Sequence, residues 1–118
     1  MTRACVARKA GTVFREEHAP MKILAVIQVA DGADGAKLRG GLVDELRGSW
    51  QLFSSGVLRE AHATEDPMRV VFVLEAPTRQ DAMRALEQLP FVATGLVRVE
   101  LTELRPFVNW SLLFKSDP

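Results

Sequence analysis

An α+β fold is predicted for this chain: an antiparallel sheet with two helices on one face, in the order β-α-β-β-α-β. Two observations predict it. Four short β-prone runs are interleaved with two stretches of helical periodicity. The second and third runs are joined only by Glu65-Asp66-Pro67, a link that closes a hairpin but cannot carry a parallel crossover. Size and composition agree, since 118 residues suffice for one domain, and 47% hydrophobic with 25% charged residues is ordinary for a globular chain.

The first strand is MKILAVIQV (21–29), ended by Ala30-Asp31-Gly32. Asp34 is placed to cap a helix that runs to about Ser54. Its apolar stripe is Leu38, Leu42, Leu46, Trp50 and Phe53, and core packing is the expectation for Trp50. Gly40 and Gly41 conflict locally with a helix, each costing about 1 kcal/mol relative to alanine. Either they permit close packing or the helix begins after them. Gly56 ends the helix, and the second strand, VLREAHAT (57–64), follows. MRVVFVLEA (68–76) is the third strand. Thr78 and Asp81 form a capping-box-like start to the second helix, whose stripe is Ala82, Met83, Leu86 and Leu89 and which Pro90 is expected to stop. The fourth strand covers residues 96–104. This is the ferredoxin-like plan.

Several classes of function are disfavoured at once. Fifteen basic residues balance fifteen acidic ones, so there is no electrostatic footprint for nucleic acid and no pull toward an anionic membrane. No apolar run approaches the roughly 20 residues of a membrane span. Cys5 is the only cysteine, which rules out an internal disulfide and zinc sites built on several thiolates. With two histidines, one of them His18 in an aperiodic segment, no metal site is expected. A cytoplasmic location fits these features. Residues 1–20 lack periodicity, and no apolar stretch follows Arg3, Arg8 and Lys9 as an export signal requires. They read as a poorly ordered extension to a domain over 21–106.

The strands carry one further message. A sheet with one wet face should alternate apolar and polar residues. Here the first strand sets Ile23, Ala25, Ile27 and Val29 against Leu24 and Val26, and the third sets Val70, Phe72 and Leu74 against Val71 and Val73. Both faces are apolar, and the two helices can cover only one. A second copy is the simplest cover for the other, so a homodimer or higher homo-oligomer with sheets packed face to face is expected.

EAPTRQDAMRALEQLPF followed by VRVELTELRP resembles the C-terminal half of the muconolactone delta-isomerase family. In that family an acidic-x-Pro turn leads into a helix closing in Gln-Leu-Pro, and a last strand runs toward a proline. DGAK (34–37), VDEL (43–46), Gly56 and Arg59 fit the same register without gaps, so the likeness spans residues 21–106. It implies a dimeric α/β barrel and a cofactor-free proton shift in a small lactone or related unsaturated carbonyl compound, as in the catabolism of aromatic compounds. The family's glutamate on the first helix corresponds to Glu45. A carboxylate on a half-buried helix face suits that task, because burial raises its pKa toward the working pH. Gly41, one turn earlier on the same side, is expected to leave space beside it. There are departures: the family's His and Tyr near the end of the second strand are replaced by Glu65, Asp66, Pro67 and Met68, and the residues after Gln-Leu-Pro by Val92, Ala93 and Thr94.

Other residues invite a site. Glu60 and His62 share a face of the second strand with Leu58 and Thr64, as an acid-base pair or as a polar pair near the sheet edge. Arg59 and Arg98 offer bidentate hydrogen bonds to a substrate carboxylate, or simply face solvent. After the last strand, residues 107–118 concentrate Phe107, Trp110, Leu112, Leu113 and Phe114. So much apolar area is expected to pack in an oligomer contact, with Trp110 a candidate to line a substrate site. The leading reading is the isomerase, with Glu45 catalytic and Arg59, His62 and Trp110 binding a small-molecule ligand. A cofactor-free monooxygenase of a small aromatic or polyketide, using Asn109, Trp110 and His62, is the alternative, followed by a non-catalytic binding or assembly module.

Overall fold

The computed structural model describes residues 20–115; of the expected N-terminal extension only Pro20 falls among them. Strand β1 (Met21–Val29) leads into helix α1 (Gly35–Ser54), followed by β2 (Leu58–Glu65), β3 (Met68–Ala76), α2 (Arg79–Leu86), a short α3 (Pro90–Ala93) and β4 (Val97–Leu104). A 3-10 helix, Val108–Phe114, comes after β4. The four strands form one antiparallel sheet in the order β2-β3-β1-β4. The fold is α+β, compatible with the ferredoxin-like plan.

Local chemistry sets most boundaries. The Asp34 carboxylate accepts hydrogen bonds from the backbone N–H groups of Ala36 and Lys37, satisfying donors that the first turn of α1 cannot. Thr78 does the same for Asp81 N–H and donates its hydroxyl to the Asp81 carboxylate, a start that is like a capping box but with the return bond made by the side chain. Gly56 takes the left-handed conformation that turns the chain out of α1 toward β2 (φ 90°).

The sheet register explains the core. Ile23, Ala25 and Ile27 pair with Leu74, Phe72 and Val70, which places all six on the face covered by the helices. The opposite face carries Leu24, Val26, Val71 and Val73 down the two central strands, each half-buried. Polar residues border them: Glu60, His62 and Thr64 on β2, and Arg98, Glu100 and Thr102 on β4. Ile23, Leu74, Leu86 and Leu89 are completely buried, each contributing about 1.5–3 kcal/mol of transfer free energy.

Three expectations are corrected. First, Leu58 does not share a face with Glu60 and His62. A bulge between Leu58 and Glu60 inserts Arg59 as the extra residue, so Leu58 turns into the core opposite Leu74. Second, α2 does not extend to Leu89. The residue before a proline is held extended (Leu89 φ −79°, ψ 130°), so Pro90 stops the helix from a distance, and it ends at Leu86. Pro90 also opens α3, where its missing N–H costs nothing.

The third correction concerns α1. Its inward face is Leu38, Gly41, Glu45, Gly48, Ser49 and Leu52, with only Leu52 fully buried. The apolar stripe lies roughly 90° around the helix from that face. Leu42, Leu46, Trp50 and Phe53 are therefore exposed, Trp50 to 65%. Trp50 is not a core residue of this chain. The physical reason is on the inward face itself, where two glycines let another part of the chain approach more closely than any leucine stripe could.

Candidate functional site

The part that approaches is Leu89-Pro90-Phe91. A Cβ built on Gly41 would stand 2.9 Å from the Phe91 ring, and one on Gly48 would stand 3.0 Å from a Leu89 methyl. The two glycines, seven residues apart on one helix face, are niches for these two side chains. Gly41 thus does not leave free space beside Glu45, as its position suggested; Phe91 fills it. Gly40 faces open space. Two neighbouring substitutions should therefore act in opposite directions. Gly40→Ala is expected to stabilise the fold by about 0.5–1 kcal/mol, through helix propensity alone. Gly41→Ala should destabilise it, because displacing a packed ring costs about 1–3 kcal/mol and exceeds that gain. Urea denaturation of the two variants measures both.

Between the niches stands Glu45. Its Oε1 accepts a hydrogen bond from Phe91 N–H at 2.8 Å. That N–H is one of the donors at the start of α3 that no helical carbonyl can satisfy, and Leu89 supplies no side-chain cap. Glu45 thus acts as a cap reaching across from another helix. Among the described residues its Oε2 has no hydrogen-bond partner. It lies on a cavity of about 450 Å3 between α1 and the helix-covered face of the sheet. Ile27, Val29, Leu42, Val70, Phe72 and Phe91 are among the walls, while Arg39 and Ser49 are the polar α1 side chains that share the lining with Glu45. Such a volume suits a small organic ligand. It opens along Leu42 and Leu46, the exposed side of the α1 stripe.

Burial pushes the Glu45 carboxyl above its ordinary value of 4.5, and the Phe91 N–H draws it partly back. The consequence for stability has a definite sign. A carboxyl with a raised folded-state pKa holds its proton more tightly in the folded chain than in the unfolded one. Its contribution is full below pH 4.5 and is lost as pH rises through the folded value. Glu45→Gln removes that dependence. Across this window the wild-type stability should fall relative to the glutamine variant, as read from urea midpoints at a series of pH values.

The other candidates do not join Glu45. Arg59, Glu60 and His62 line a second cleft, walled on its helix side by Trp50 and Phe53, whose rings lie 5.4 Å apart. His62 Nε2 lies 3.1 Å from Glu60 Oε1, a polar pair along the edge strand and open to solvent. The cleft and the Glu45 cavity meet at Leu46, Ser49 and Ala61, which line both. Arg98 is exposed on β4. Trp110 and Asn109 lie in the 3-10 helix after β4, where Trp110 is 66% exposed and packs edge-on against Phe107. Sequence reasoning missed Arg39, Ser49 and Phe91. The paired glycines flanking Glu45 were the available signal, since a helix keeps such glycines where another backbone comes close.

Among the described residues no three His, Cys, Asp or Glu side chains gather as metal ligands would, and no helix is long and apolar enough to cross a membrane. Comparison with protein-family models, with curated proteins and with solved structures finds no match. The functional reading therefore rests on the site.

Proposed function

We propose that the chain is a muconolactone isomerase-like protein, a cofactor-free proton-shift isomerase of a small lactone or unsaturated carbonyl compound, with Glu45 as the proton shuttle. The observation that carries this reading is a carboxylate of raised proton affinity on the wall of a largely apolar cavity, with one oxygen tethered and the other without a partner among the described residues. In the reaction, Oε2 takes a proton from the carbon next to the carbonyl, giving a conjugated enolate. The same carboxyl then returns the proton to the far end of the conjugated system. The double bond moves and nothing else is gained or lost. The tether through Phe91 N–H keeps the carboxylate in one orientation for both steps, and the apolar walls disfavour water as a competing proton source. Arg39, the one cation among the described residues on the lining, is suited to balance charge developing on the carbonyl oxygen.

The test uses candidate β,γ-unsaturated lactones and ketones in deuterated water. Deuterium entering the acidic carbon, together with double-bond transposition that Glu45→Gln abolishes, supports the reading. Ligands bound without exchange or transposition would place the chain among binding modules.

A homodimer belongs to the same reading. The apolar strip Leu24, Val26, Val71 and Val73 with its polar border suits a second sheet stacked face to face, closing a barrel of two subunits. Val71→Glu puts a charge at the centre of that strip and is expected to yield monomers in sedimentation velocity. An unchanged sedimentation coefficient at matched concentration would count against this face as the interface.

A further inference from the structure

Resting on the face-to-face dimer, we infer that residues 107–114 of each copy dock in the partner's cleft between α1 and β2, so that each Glu45 site is completed by two chains. Two apolar surfaces without cover among the described residues motivate this. One is the 3-10 segment, where Phe107, Trp110, Leu112, Leu113 and Phe114 are 62–82% exposed. The other is the stripe Leu46, Trp50 and Phe53 along the second cleft, each 46–65% exposed. Within one chain they lie at opposite edges of the sheet, because the segment leaves from β4 and the cleft borders β2.

Symmetry brings them together. Two stacked sheets can be related by a two-fold axis running either along the strands or across them. The cross-strand pairings place Thr102, Leu24, Val73 and Glu60 on one row of the outer face, and Glu100, Val26, Val71 and His62 on the next. An axis across the strands lays β4 on the partner's β4: through the second row it sets Glu100 against its own copy and His62 against His62, and only between the rows does it set Glu100 against the partner's Thr102 and Glu60 against the partner's His62. An axis along the strands lays β4 over the partner's β2. Glu100 then meets the imidazole of the partner's His62, and the Thr102 hydroxyl meets the carboxylate of the partner's Glu60. The second arrangement is favoured, because it brings border residues of opposite character together in both rows wherever the axis lies along the strands, whereas the first does so only with the axis between rows.

That arrangement also preserves the direction of the strands. Leu104, where the segment departs, pairs with Lys22, while Leu58, where β2 begins, pairs with Leu74 and so lies level with Ile23. Both mark the same end of the sheet. Stacked sheets are about 10 Å apart, and the extended run Arg105-Pro106-Phe107 spans about 10 Å. The segment therefore reaches the partner's β2 edge where Leu58, Arg59 and Phe53 border the cleft. Docked there, its aromatic side chains cover Trp50 and Phe53 and shut the opening that leads through Leu46, Ser49 and Ala61 to Glu45.

The experiment uses the full chain with Cys5→Ser as background. One tagged population carries Arg59→Cys and another, of different size, carries Trp110→Cys. After mixing and mild oxidation, a disulfide joining the two populations is expected. In a separate Trp50→Phe variant, Trp110 emission is expected at shorter wavelength and shielded from acrylamide, and adding Val71→Glu should reverse both effects. Sedimentation is run alongside. A dimer with no joined product and a freely quenched Trp110 overturns the docking while leaving the sheet interface standing. A chain carrying both cysteines that closes a disulfide within itself also overturns it, by placing the segment on its own body. A monomeric wild type refutes the dimer reading and the docking together.

Discussion

Glu45→Gln is expected to lower double-bond transposition by about 100- to 10,000-fold, the usual contribution of a positioned proton-transfer group, while ligand binding persists. Glutamine keeps a carbonyl oxygen where Oε1 stands, so the hydrogen bond from Phe91 N–H survives and the Leu89-Pro90-Phe91 segment stays seated. What it lacks is a group that exchanges protons. Glu45→Ala removes both functions, and the Phe91 N–H left without its acceptor should cost about 1–3 kcal/mol in stability. The pair of variants separates chemistry from architecture. Turnover that survives in glutamine while stability drops only in alanine would reduce Glu45 to a helix cap. Turnover lost in both, with stability lost only in alanine, assigns it the two roles together. The readouts are deuterium incorporation by NMR and urea midpoints.

Leu89→Ala carries the largest structural effect, an expected loss of about 2–5 kcal/mol. Leu89 is completely buried, and its methyl fills the niche at Gly48. Truncation opens a hole against a residue with no side chain to relax into it. The same segment sets Phe91 against Gly41 and brings its N–H to Glu45, so loosening it should also raise the mobility of the carboxylate. Leu112→Ala in the exposed segment after β4 is a matched comparison. In the Val71→Glu background, where no partner is present, it should change stability by less than about 0.5 kcal/mol. Denaturation with an unchanged dependence on urea concentration is the appropriate measure. A Leu89→Ala loss below about 1 kcal/mol would mean the segment is not a principal support of the fold.

The elements themselves were legible in the residues, because their signals are local. Asp34 and Thr78 cap helices with their own side chains, Gly56 supplies a left-handed turn, and Asp66-Pro67 closes a hairpin between two β-prone runs. The doubly apolar sheet was also readable, since period-two alternation reports both faces at once. Glu45 as the residue of interest came from a register resemblance together with its place at the margin of the helix stripe. The bulge at Arg59 was not readable, because nothing in the alternation of LREAHAT marks where one residue is skipped. Nor was the orientation of α1. Hydrophobic periodicity locates a stripe but not what it faces, and it points Trp50 to a core that the chain does not provide.

The sequence by itself determined the order of elements, their caps and turns, and the surplus of apolar area on the outer sheet face and after β4. Each of these depends on residues within a few positions of one another. Only the tertiary structure decided that α1 turns Gly41, Glu45 and Gly48 inward and Leu42, Leu46, Trp50 and Phe53 outward. That choice is made by Leu89 and Phe91, about 40 to 50 positions away, whose methyl and ring fit where no Cβ stands. The cavity, the raised proton affinity of Glu45 and the exposed aromatic stripe all follow from that one packing decision.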